Sequence, residues 1–149
     1  MSTQVVLYYM LAVVVGILGG IHIPINGALG TRIQSTLVAT FTFYGIAFIC
    51  IGVACLLTWN KEAFFALKTA PRWYFLAGVI SVVVVGSSTF LIPRLGAVNL
   101  FVVVLSLQLI ARTVISHFGW LESPISPLTP WKILGAVLLM IGAVLVVRS

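Results

Sequence analysis

Acidic side chains are almost missing from this sequence, which has no aspartate and only two glutamates, Glu62 and Glu122, in 149 residues. Charged residues of both signs make up 7% of the chain, where soluble domains carry roughly 25%, so a water-soluble surface cannot be assembled from them. Both glutamates fall in connections between apolar runs. No span therefore offers the carboxylate that usually carries a proton or pairs with a cationic solute inside a membrane. Cysteine is as scarce: Cys50 and Cys55 lie in one apolar run, a spacing that suits neither a disulfide nor a zinc site, and His22 and His117 are far from both. The two thiols are expected to be small core residues. Serine, histidine and acid never come together in a catalytic order. The GILGG cluster lies within an apolar run rather than between a strand and a helix, so it is no phosphate loop. These absences exclude a soluble enzyme, and neither a metal nor a cofactor is expected.

Apolar residues are what the chain does have, at 62%, with a mean hydropathy of +1.26. The hydropathy recurs along the whole sequence. A spanning helix takes about 20 apolar residues, and five runs of about that length, at about 5–29, 36–58, 72–92, 97–117 and 131–147, use up the chain. The expectation is an all-α membrane protein, a single five-helix transmembrane domain over residues 1–149. The first run is too long for a signal-peptide core and lacks a cleavage pattern, so it is expected to be retained as a helix. Between the second and third runs, EAFFALKT is too short to span and has an interfacial character. Pro93 to Gly96 predicts a tight turn between the third and fourth. The three prolines of FGWLESPISPLTP recur at every third position, which predicts an extended, stiff connection to the fifth.

The formal charge of +6 comes from basic residues spread singly near the ends of these runs. That pattern fits anchoring at a membrane interface and gives no nucleic-acid patch. Five spans put the chain ends on opposite faces. One face then holds Lys61, Lys68, Arg72, Lys132 and, by snorkelling, Arg112; the other holds Arg32, Arg94 and Arg148. The excess favours a cytoplasmic amino terminus, but so small a bias also permits insertion in both orientations.

Two constellations of polar residues interrupt the apolar runs. In the first run, glycines thin the helix and Pro24 removes a backbone donor, so a kink or opening is expected there. His22 and Asn26 flank Pro24 at i and i+4, which puts an imidazole and an amide on one face. In the fourth run, Gln108 and Arg112 repeat that spacing. These four residues either satisfy one another and neighbouring helices as packing groups or line a substrate pathway. His22 and His117 are the only side chains able to exchange protons near neutral pH. The fifth run carries Gly135 and Gly142 one heptad apart, a small-residue stripe that lets helices approach closely.

The segments GGIHIPINGALGTRI, IPRLGAVNLFVVVLSLQL, ISHFGWLESPISPL and KILGAVLLMIGAVLVV together resemble the YdcZ-like family of five-helix transporters in the drug/metabolite transporter superfamily. The likeness covers nearly the whole chain, and its most specific part is the turn Pro93 to Gly96 followed by Gln108. The resemblance implies that Asn26 and Gln108 match the family's polar positions, with His22 where the family usually has a glutamine. The chain departs from the pattern at Ser116, where an acid is common, and at Arg112, where a small residue is common. The last run is also similar to the final helix of the small multidrug resistance proteins, whose glycine pair joins antiparallel protomers; Gly135 and Gly142 match it.

What this implies is half of an inverted-repeat, ten-helix secondary transporter in the bacterial inner membrane, carrying a small solute by alternating access. The partner would be a second, oppositely inserted copy as an antiparallel homodimer, or a homologous five-helix chain. The competing readings are a non-transporting membrane subunit whose pairing surface is its whole function, and a passive channel.

Overall fold

The computed structural model describes residues 3–148, and every regular element among them is helical. The order is α1 (Thr3–Arg32), α2 (Thr36–Leu57), a short α3 (Lys61–Ala66), α4 (Leu76–Leu95), α5 (Ala97–Phe118) and α6 (Pro130–Arg148). A 3-10 turn at Arg72–Phe75 leads into α4, and another at Trp120–Glu122 follows α5. Five of these helices, α1, α2, α4 with its leading turn, α5 and α6, are long and apolar enough to cross a membrane. The chain divides into two compact units, Met1–Arg94 and Leu95–Ser149.

In the first unit, α1 and α2 form a hairpin closed by three residues. Gln34 takes a left-handed conformation at φ 54, while Ser35 N–H donates to Gly30 O at 3.0 Å and Gln34 N–H to Thr31 O at 3.2 Å. That is the double bond pattern of a Schellman stop, which satisfies carbonyls that the end of α1 would leave bare. Ser35 then caps α2, its Oγ accepting from Val38 N–H at 3.3 Å. Two glycines let α1 come close to its neighbours. A Cβ on Gly27 would stand 3.1 Å from Ile92 Cγ2 of α4, and one on Gly30 would stand 3.4 Å from Thr89 Cγ2.

Three expectations need correction. The helix does not open at Pro24: α1 is helical from Thr3 to Arg32 with the proline inside. Nor does Pro93 begin a turn, since α4 runs through it to Leu95 and the break comes at Gly96, where φ is +79. In both helices the proline ring costs one backbone donor without breaking the helix, and the glycine's left-handed freedom sets the end of α4. The thiols form no core, for Cys50 is exposed on α2 and Cys55 half-buried.

In the second unit α5 packs on α6. Gly119 ends α5 at φ +65, and a Cβ there would meet Ile125 Cγ1 at 2.9 Å, so both backbone and space require glycine. Residues 123–129 carry no regular structure, in keeping with the extended proline connection. They are tied back to α5 by Ser126 N–H donating to Ser116 O at 2.9 Å and Leu128 N–H to His117 Nδ1 at 3.2 Å. Pro130 opens α6 after Thr129, whose Oγ1 accepts from Lys132 N–H at 3.3 Å, a hydroxyl cap with proline in the first turn.

Candidate substrate pathway

The interior of the first unit is small and polar. Its buried residues are Asn26, Gly27 and Gly30 from α1, Ala39 and Thr40 from α2, and Val85, Ser88 and Thr89 from α4. Several hydroxyls in the spans satisfy themselves locally. Thr42, Ser88, Ser106 and Thr113 each donate to the carbonyl four residues back on their own helix. Thr89 behaves differently: its Oγ1 accepts from Asn26 Nδ2 at 2.8 Å, with Asn26 only 4% and Thr89 1% exposed. An amide buried without a partner costs a few kcal/mol, so this bond holds α1 and α4 in one register. One turn further along α2, Tyr44 OH and Ser81 Oγ share a bond at 2.6 Å. Between these two pairs, Thr40 Oγ1 is buried with no hydrogen-bond partner.

Beside this seam lies a cavity of about 400 Å³ lined by Gly30, Thr31, Gln34, Thr36, Thr89, Pro93 and Arg94. Thr89 is on its wall, with Asn26 bonded behind it. Pro93 has no N–H to give to the carbonyl of Thr89 four residues back, so that acceptor lacks its usual helical donor. Arg94 supplies the cavity's positive charge. Its guanidinium lies 3.5 Å from the centroid of the Phe90 ring and donates to Phe90 O.

His22 is exposed and does not line this cavity. Its Nδ1 is 3.2 Å from Leu18 O, and its ring stacks on Phe43 at 5.7 Å. With Nδ1 donating to that carbonyl, Nε2 is left as the nitrogen open to a ligand or proton. His22 and Asn26 thus share a helix face in sequence but not an environment: one stands against an aromatic ring and the other is sealed against α4.

Gln108 and Arg112 are brought together in the second unit, with Arg112 Nη2 donating to Gln108 Oε1 at 3.3 Å. Gln108 is half-buried and Arg112 exposed. Arg112 also lines a second, smaller cavity of about 200 Å³ with Thr113, Ser116, Ser126 and Lys132. Gly135 and Gly142 have open space where a Cβ would be, so neither forms a close contact with α5. The sequence does not single out Thr89, Thr40, Tyr44 or Ser81, and it offers Lys132 only as an interface anchor. Hydroxyl residues in apolar helices are usually self-satisfied, and only the fold marks those that are not.

Five helices long and apolar enough to cross a membrane define an integral membrane protein. The family model described as "Putative inner membrane exporter, YdcZ" matches residues 7–145, and the chain belongs to that family. Its place in the drug/metabolite transporter superfamily and in the inner membrane follows from this membership, which supports a transporter rather than an enzyme. Neither the curated proteins nor the solved structures contain a match.

Proposed function

We propose that the chain is half of a secondary transporter for a small polar solute, completed by a second copy inserted in the opposite sense, and that the pair works by alternating access. The observation that carries this is the Asn26–Thr89 bond at the wall of the 400 Å³ cavity. Buried polar side chains are costly in a membrane helix and cluster where a solute or water replaces lipid. Thr89 lies on the cavity wall, where its carbonyl loses its usual helical donor at Pro93, and Asn26 bonded behind it holds that wall in place beside a solute. His22 contributes an imidazole on the same helix, and Gln108 and Arg112 contribute an amide and a fixed positive charge on α5. The proline inside α1 makes that helix the element that bends as the cavity opens. Pairing with an inverted copy gives five spans the two-fold arrangement that transporters of this kind use, and the open Gly135 and Gly142 stripe on α6 is the surface through which the copies would meet.

The test is flux in proteoliposomes. A solute screen first identifies a substrate whose uptake saturates and follows a gradient; Asn26→Leu and Gln108→Leu are then measured with it. Loss of flux in variants that still dimerise supports the assignment. Unchanged flux in both removes these residues from the pathway, and a flux that neither saturates nor depends on a gradient points to a channel.

A further inference from the structure

The second unit holds a cationic pocket of its own. Arg112, Thr113, Ser116, Ser126 and Lys132 line one cavity of about 200 Å³, and no carboxylate is among them. Both cations are held by neutral oxygens. Lys132 Nζ donates to Ser126 Oγ at 2.6 Å and to Pro127 O at 2.8 Å, and Arg112 donates to Gln108 Oε1 at 3.3 Å. An ammonium has three donors and a guanidinium five. These contacts use two of the lysine's donors and one of the arginine's, so both cations keep further donor capacity for a ligand.

The pocket is built by the fold of the connection. Residues 123–129 are clamped on the last turns of α5 by the Ser126 to Ser116 and Leu128 to His117 bonds, and this places Ser126 and Pro127 where they hold the Lys132 ammonium. Ser116 Oγ is itself 3.2 Å from Ser123 Oγ, so the hydroxyls of the lining are fixed by the same clamp. Arg112 lies six residues before the end of α5 at Phe118, about 9 Å along the axis at 1.5 Å per residue, and Lys132 is in the first turn of α6. Lys132 is thus at the end of its span, and Arg112, which lines the same cavity, stands between one and two turns inside the end of α5. Phe118 and Trp120 stack at 5.1 Å at this end of the unit, and Trp131 precedes Lys132. Aromatic rings with basic residues mark the headgroup level of a bilayer.

From this arrangement we infer that Arg112 and Lys132 bind a phosphate group at the membrane interface. A phosphodiester presents two unbridged oxygens to the planar fork of Arg112 and completes the coordination of the Lys132 ammonium, and basic pockets between transmembrane helices hold anionic headgroups in this way. The inference does not rest on the transport proposal, since the pocket would hold phosphate in a chain that carried no solute.

The experiment uses the full-length protein in a neutral detergent and reads its melting temperature in two arms. One compares phosphatidylglycerol with phosphatidylcholine at equal mole fraction; the other compares sodium phosphate with sodium chloride at equal ionic strength. A rise with phosphatidylglycerol identifies a lipid headgroup, and a rise with inorganic phosphate a free anion. In either case Arg112→Gln and Lys132→Gln should each remove at least half of the rise, while Arg148→Gln, which deletes one charge outside the pocket, should keep it. If Arg112→Gln does not yield folded protein, Arg112→Lys, which keeps the charge but loses the fork, is read in its place with the same expectation. The inference is overturned if wild-type protein shows no rise in either arm, if the pocket variants keep the full rise, or if Arg148→Gln loses as much as they do.

Discussion

Asn26 and Thr89 are 63 residues apart in sequence and 2.8 Å apart in the fold, joined by an amide-to-hydroxyl bond that is closed to solvent. The bond fastens the helix carrying Pro24 to the helix carrying Pro93. Each partner is the other's answer to burial, so removing one leaves the other exposed to the full cost of desolvation.

A double-mutant cycle should show this coupling. Asn26→Leu and Thr89→Val are each expected to lower stability, while the double variant should lose less than the sum of the two. The coupling expected for a hydrogen bond between membrane helices is about 0.6 kcal/mol, with ~1.7 kcal/mol as an upper value. Unfolding in mixed micelles measures it, and strict additivity would show that the two side chains do not depend on each other.

Thr40 gives a prediction of opposite sign. Its Oγ1 is buried without a partner, so Thr40→Val, which replaces the hydroxyl by a methyl of similar shape, should raise stability by about 1 kcal/mol. The same unfolding assay decides it. If the variant is more stable but loses flux, Thr40 is a group held in reserve for the solute; a fall in stability would mean that the hydroxyl has a partner in the membrane.

Enlarging the glycine stripe should separate the copies. Gly142→Leu fills space that is open in the single chain, so it should leave the protomer folded and lower dimer yield in lipid far more than Leu138→Ala. Crosslinking yield or single-molecule counting of subunits provides the measurement. Equal dimer yields for the two variants would take the stripe out of the interface.

Topology can be read from the chain ends. With Cys50 and Cys55 replaced by alanine, single cysteines at Ser2 and at Ser149, which lie outside the described residues, should each be labelled from both faces of the membrane. Strictly one-sided labelling of both would exclude the homodimer and require an oppositely inserted sister chain.

The spans were legible in the sequence because lipid imposes length and apolarity on every residue of a span, and five runs declare themselves without knowledge of their packing. The family was legible for a similar reason, since its motif residues are local. Partnership was not. Asn26 stood out as an amide in an apolar run, but its partner is a threonine like several others, and the distinction between Thr89 and Thr113 is made only by where their donors and acceptors lead. The stop at Gly96 rather than Pro93 was also hidden, because a proline near a helix end can close the last turn or be carried within it. Lys132 looked like an interface anchor until the proline connection brought Ser126 and Pro127 to it.

The position of Arg94 has a consequence for selectivity. Because its guanidinium rests on Phe90 and bonds to Phe90 O, the charge at the cavity is fastened to α4 itself. A swing of α1 about Pro24 would widen or narrow the cavity while the charge stayed in place. Filter and gate would then be separate parts, so substitutions that stiffen α1 should change how fast the cavity opens and leave unaltered which sign of ion it admits.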